Sequence, residues 1–252
     1  MRWTKTISLP SIERACAFGL LLAVCSTGRS SAAQAPAPPQ APAAPAARFV
    51  VVLDAAHGGD DSGGHSGNWT EKSLTLALSV RLRSLLGARG ISVVTTRESD
   101  IQIDPPQRIA IADHAGAQAC LSLHASLSGS GIHLFASSLA PAQPALFEPW
   151  KTAQAASVTR SLALAGVLNS ALQHAGMAVT LGRTELPILD SMTCPALAVE
   201  ISPDRTSTPQ SQPQSPVDSL NDPGYQARVA EALAAALVEW RAEEGRLGAG
   251  PS

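Results

Sequence analysis

From Phe49 to Glu244, short runs of aliphatic and β-branched residues alternate with longer segments whose apolar residues recur every three or four positions. That alternation admits few architectures, because strands interleaved with amphipathic helices pair into a mostly parallel sheet that the helices cover. The pattern predicts strands at Phe49 to Asp54, Ile91 to Thr96, Ala119 to Leu123, Gly131 to Ala136 and Pro195 to Ile201. Helices are predicted over Glu71 to Ala88, Pro106 to Ala115, Ala153 to Ala175 and Pro223 to Glu244. The expected fold class is α/β, a mixed, mostly parallel sheet with helices on both faces, in a single domain. Leu74, Leu78, Leu82, Leu85 and Leu86 share one stripe of the first helix, and Val229, Leu233, Leu237 and Trp240 share one stripe of the last. Both stripes are core faces. Gly90 stands where a left-handed residue would stop the first helix, and Thr206 to Ser219, rich in Ser, Pro and Gln, is expected to be a surface loop.

The composition permits a packed core and excludes some partners. Of 252 residues, 45% are hydrophobic and 15% charged, which is incompatible with wholesale disorder. Aromatics make up 4% and the formal net charge is −2, so neither stacking platforms nor a basic surface for nucleic acid is expected.

Residues 1–33 have the order of an export signal. Arg2, Lys5 and Arg14 precede the apolar run from Ala17 to Val24, and Ser30-Ser31-Ala32-Ala33 follows. The apolar run is too short for a permanent membrane span, and the small residues suit cleavage after Ala33. Lipid attachment at Cys25 is disfavoured by the bulk of Val24 before it. Export to a periplasm or cell wall is therefore expected, with no stable membrane insertion once the signal is removed. Residues 34–47 are Pro, Ala and Gln only, and read as an extended linker; the domain proper is expected over residues 48–252. Cys120 and Cys194 would remain in an oxidising compartment, each beside a core strand, either as a disulfide or as two buried thiols.

In an open sheet, ligands bind beyond the carboxyl ends of the parallel strands. The first predicted strand runs out at Asp54-Ala55-Ala56-His57-Gly58-Gly59, the third at Leu123-His124-Ala125 and the last at Val199-Glu200-Ile201, while Glu71 opens a helix behind Thr70 as candidate cap. Two imidazoles and a carboxylate are a usual protein set for catalytic zinc, with one position left for water. A further carboxylate, close but unligated, is needed to move the water's proton. On spacing alone, Glu71 and Glu200 could each take either post.

The segments Leu53-Asp54-Ala55-Ala56-His57-Gly58-Gly59, Thr70-Glu71-Lys72, Thr96-Arg97-Glu98-Ser99-Asp100, Arg108-Ile109-Ala110-Ile111-Ala112, Leu123-His124-Ala125 and Pro195-Ala196-Leu197-Ala198-Val199-Glu200 resemble, in order, the zinc-dependent N-acetylmuramoyl-L-alanine amidases (amidase 3 type). Each motif alone is unspecific; their order and spacing carry the resemblance, over roughly residues 48 to 245. It implies zinc (Zn2+) held by His57, Glu71 and His124, with Glu200 as catalytic carboxylate. The implied substrate is peptidoglycan, cut at the amide between N-acetylmuramic acid and L-alanine. Two other readings keep the fold: a catalytically degenerate peptidoglycan-binding or division-scaffold module, and a zinc peptidase acting within the stem peptide. No activator protein is named by the sequence.

The chain also departs from the pattern. Ala56 stands where the family usually has Gly, and Ile201-Ser202-Pro203-Asp204 replaces a Gly-Phe-containing stretch and an Asn after the catalytic Glu. Some relatives insert a helix that covers the site. Ser137 to Thr152, with three prolines, is not expected to form one. Arg183 is a candidate to reach substrate or Glu200, His65 a candidate to line the cleft, and Arg97 a candidate to pair with Asp100 or the sheet edge.

Overall fold

Val50 to Ala55 contains one polar residue in six and is almost wholly buried, as a strand covered on both faces must be. In the computed structural model, which describes residues 48–143, 149–205 and 215–248, it forms β1 (Val50–Ala55). A two-stranded hairpin follows, β2 (His65–Ser66) and β3 (Trp69–Thr70). Then come α1 (Glu71–Ala88), β4 (Ser92–Thr95), α2 (Pro105–His114), β5 (Ala119–Ala125) and β6 (Ile132–Ser137). A 3-10 helix (Trp150–Ala156) leads into α3 (Val158–His174), β7 (Val179–Thr184), α4 (Pro187–Asp190) and β8 (Ala196–Ile201). The helices α5 (Pro216–Asn221) and α6 (Pro223–Gly248) complete the described chain.

The main sheet has six strands in the order β4-β1-β5-β8-β6-β7. Every neighbouring pair is parallel except β6 with β8, so the sheet is mixed and mostly parallel as expected. Because side chains alternate along each strand, its two faces carry two separate cores. One packs Leu53, Leu121, Leu123 and Val199 against Leu82 of α1, Leu168 of α3, and Leu237 and Trp240 of α6. Each such side chain contributes about 1.5–3 kcal/mol through burial. The other is smaller: Val52, Cys120, Ala196 and Ala198 meet Ala112 of α2 and Leu189 of α4, with Met192 and Cys194. Beyond the strand ends, this thinner face opens into a cleft.

The first helix spans Glu71 to Ala88 as predicted, and Gly90 has φ 72. Thr70 is the N-cap, but its hydroxyl bonds to Ser73 Oγ at 2.8 Å and caps no amide; Glu71 N donates to Gly64 O instead. Three expectations need correction. The helix predicted from Ala153 begins as a 3-10 turn, where Gln154 is buried to donate to the carbonyls of Leu189, Met192 and Cys194, and α3 proper starts at Val158. Val179 to Thr184, where no element is predicted, is edge strand β7, whose half-exposed pattern lacks an apolar run. The loop expected over 206–219 contains the start of α5, capped by Ser215 Oγ accepting from Asp218 N; residues 206–214 lie outside the described residues. The leader and linker, residues 1–47, also lie outside them, as do 144–148 of the Ser137 to Thr152 stretch. Among the described residues no helix is long and apolar enough to cross a membrane.

Cys120 and Cys194 form a disulfide, their Cα atoms 6.1 Å apart, which ties β5 to the turn between α4 and β8 across a sequence separation of 74. Closing so long a loop restricts the unfolded chain. Replacing both cysteines by Ala is expected to lower stability by about 2–4 kcal/mol, measured by denaturant unfolding under oxidising conditions; an unchanged midpoint would show that the thin core does not depend on the bridge.

Candidate metal centre

The centre begins where β1 ends. Thr96 N and Ala56 N still donate to neighbouring strands, but the chain then turns sharply through His57 at φ 63, the only non-glycine residue at positive φ among those described, and through Gly58 and Gly59. Such a conformation is unfavourable for a residue with a Cβ and persists where surrounding bonds impose it. Here Arg108 Nη2 donates to His57 O at 2.8 Å, and Gly58 pairs with Asp61 in a short bridge. Gly58 passes so close to Ile101 O that no Cβ fits.

Three side chains meet at this turn. His57 comes from the end of β1, Glu71 from the first turn of α1, and His124 from the end of β5. His57 Nε2 lies 3.1 Å from Glu71 Oε2, and His124 Nδ1 lies 3.1 Å from Glu71 Oε1. Their candidate ligand atoms all fall within 4.8 Å of one another. Glu71 is buried and held by two backbone amides, Gly64 N on Oε2 at 2.9 Å and Ala125 N on Oε1 at 3.0 Å. Burial alone would raise its pKa. The amides of Gly64 and Ala125 act against that rise.

The donor set suits a cation. His57 Nδ1 lies 2.8 Å from Asp61 Oδ2, and that bond keeps the Asp61 carboxyl below its usual range. A carboxylate can only accept, so Nδ1 carries the proton and Nε2 turns its lone pair toward Glu71, a second acceptor. Two acceptors at 3.1 Å repel unless a positive charge lies between them, and a divalent ion bound by two imidazoles and a carboxylate supplies one. His57, Glu71 and His124 thus form a possible metal site.

Glu200 occupies β8 opposite His124 in parallel register, which puts both side chains on one face of the sheet. It is half-buried, and no bond from another described residue holds its carboxylate. Beside these groups lies a cleft of about 350 Å³. His57, Ser122, His124 and Arg108 form its polar end, and Ile103, Leu186, Ile188 and Leu189 its apolar wall.

The profile of the amidase 3 family, described as N-acetylmuramoyl-L-alanine amidase, matches residues 51–239, a stretch that includes all four of these positions. The chain belongs to this family. It is 33% identical over 89 residues to the germination-specific N-acetylmuramoyl-L-alanine amidase of Bacillus subtilis (strain 168), an alignment covering 30% of this chain and 38% of that protein. It is 42% identical over 77 residues to N-acetylmuramoyl-L-alanine amidase AmiA of Escherichia coli (strain K12), covering 30% and 27%. The chain therefore aligns with well under half the length of these relatives. Among solved structures, the catalytic domain of CwlV, an N-acetylmuramoyl-L-alanine amidase from Bacillus (Paenibacillus) polymyxa var. colistinus, is similar at TM-score 0.58 and 25% identity, covering 76% of this chain and 97% of that one.

Within this amidase-family fold, other expected residues take different places. Arg183 is directed at the end of β6, donating to Ser137 O at 2.9 Å and Leu139 O at 2.6 Å. His65 is exposed on the β2 hairpin and does not line the cleft. Arg97 takes the second of its two expected places, the sheet edge: it is buried and donates to the carbonyls of Ala55 and Ala56 at the end of β1 and to those of Lys72 and Ser99, while Asp100 pairs with Lys72 at 2.7 Å. Residues not singled out from the sequence also shape the centre, above all Asp61, Ser122 and Arg108. The two-residue strand period places Ser122 on the face of His124, and that signal was available in the sequence.

Gly63, at φ 62, is the close-packed point of the centre: a Cβ there would lie 2.6 Å from His57 Cδ2 and 2.7 Å from Glu71 Oε2. If this possible site holds a divalent ion, Gly63→Ala is expected to weaken its binding by about 10-fold or more while leaving the far-ultraviolet circular dichroism spectrum intact. The affinity is read by competition with a chromophoric chelator; an unchanged value would show that His57 and Glu71 need not approach across Gly63.

Proposed function

We propose that the chain is an exported zinc amidase that hydrolyses the amide between the lactyl group of N-acetylmuramic acid and the L-alanine of the stem peptide in peptidoglycan. The observation that carries this reading is the convergence of His57, Glu71 and His124 within 4.8 Å, beside Glu200, in a chain of the amidase family. The leader composition of residues 1–33 and the linker at 34–47 support an exported, wall-facing domain over 48–252.

In this reading His57, Glu71 and His124 hold the zinc. When bound, zinc lowers the pKa of a water to about 7 and polarises the scissile carbonyl. Glu200, unheld by the protein and on the face of His124, takes the proton of the attacking water and returns it to the departing alanine amine. The apolar wall of Ile103, Leu186, Ile188 and Leu189 excludes water from one side of the cleft.

Digestion of purified sacculi tests the proposal. Intact stem peptides with a free L-alanine amine support it; binding without released peptide, or cleavage inside the stem, replaces it with a wall-binding module or a peptidase. Glu200→Gln is expected to retain zinc and lose at least about 10²-fold in kcat, measured on the same sacculi with metal content determined in parallel. Retained activity would remove Glu200 from its role.

A further inference from the structure

The two histidines present opposite ring nitrogens to Glu71: His57 its Nε2, His124 its Nδ1. Asp61 accounts for His57. For His124, the neighbour of the other nitrogen is Ser122, whose Oγ lies 3.3 Å from Nε2. Ser122 is two residues earlier on β5, so the same strand face carries both side chains.

The hydroxyl is not free to point either way. Ser122 Oγ donates to Asp54 Oδ2 at 2.8 Å, and Asp54 Oδ1 is taken by Arg108 Nη1 and by the hydroxyl of Thr96. Asp54 and Ser122 are 2% and 3% exposed, so water does not compete for these bonds. With its single proton committed to a carboxylate, Ser122 Oγ can only accept from His124. Ser122 thus offers an acceptor to Nε2–H, in competition with Glu71 Oε1, which lies 3.1 Å from Nδ1 and already accepts from Ala125 N; with the hydrogen on Nε2, Nδ1 keeps a lone pair for the ion.

We propose that Ser122, backed by Asp54, is a positioning residue that fixes the Nε2–H tautomer of His124 and so selects Nδ1 as the metal-facing atom. This rests on the metal-centre reading above. Arg108 joins the two halves of the arrangement, since the same guanidinium bonds Asp54 through Nη1 and the backbone oxygen of His57 through Nη2. Such outer partners set ring orientation and ligand basicity, and their loss typically weakens metal binding 10–100-fold.

The experiment is long-range 15N–1H NMR of the histidine rings in the metal-free mature chain, under alkaline conditions that keep the imidazoles neutral, paired with zinc affinity by chelator competition. In the unaltered protein His124 is expected as the Nε2–H tautomer and His57 as the Nδ1–H tautomer. Ser122→Ala is expected to give a tautomer mixture at His124 only and to weaken zinc binding about 10–100-fold. Ser122→Thr, which keeps the hydroxyl, should restore both. An Nδ1–H tautomer at His124 in the unaltered protein, or an unchanged tautomer and affinity in Ser122→Ala, overturns the proposal. Failure of the metal-centre reading shows separately, as absence of zinc binding by the unaltered chain, because the tautomers are read without metal.

Discussion

The geometry of the centre depends on a buried ion pair, Asp54 with Arg108. Removing both charges from water is expensive, and such a pair is tolerated only when every remaining donor and acceptor is used. Here that condition is nearly met, with both Asp54 oxygens and four of the five Arg108 hydrogens bonded. Arg108 spends its other hydrogens on the carbonyls of Ile103, Ala55 and His57, and Arg97 covers Ala55 and Ala56 from the other side. All of these carbonyls but that of Ile103 lie where β1 runs out, where buried backbone oxygens would otherwise go unsatisfied. Burial, and the proximity of Arg108, pull the Arg97 pKa below its usual value, while Asp100 and Asp54 oppose that change. The two guanidiniums thus hold the chain in the left-handed turn that aims His57 inward.

The sheet supplies the rest. β5 and β8 run parallel, so His124 and Glu200 arrive at the same level of adjacent strands. On the far side of β8 the direction reverses at β6, and the cleft edge on which ligands can lie is confined to the ends of β1, β5 and β8. A polar cluster at that edge meets an apolar wall from α4 and the segment before α2.

Much of this was legible in the sequence, and the exceptions have physical reasons. The strands β1, β5 and β8 are buried on both faces and read as continuous aliphatic runs, and α1 has a leucine stripe and a glycine stop, so their bounds are found to within about two residues. His57, His124 and Glu200 stood out as polar residues closing apolar strand runs, and Glu71 as the acid that opens α1. Edge strand β7 did not, since Val179-Thr180-Leu181-Gly182-Arg183-Thr184 is half solvated and carries no core pattern. The sheet-edge role of Arg97 was one of two alternatives and Arg108 was given no role, because nothing local reveals that a guanidinium will be spent on backbone carbonyls from a distant strand. The disulfide was an open choice until the fold set the Cα separation at 6.1 Å.

The order of the strands has a consequence for how an ion would be acquired under the proposed reading. His57, Glu71 and His124 are brought together only by the parallel pairing of β1 with β5 and the docking of α1, contacts between segments remote in the chain that close slowly. An unfolded chain offers isolated imidazoles and carboxylates, each a feeble ligand. Under the proposed reading, a metal would meet its full ligand set only after these contacts form, and once bound it would draw the folding equilibrium toward the folded state by mass action.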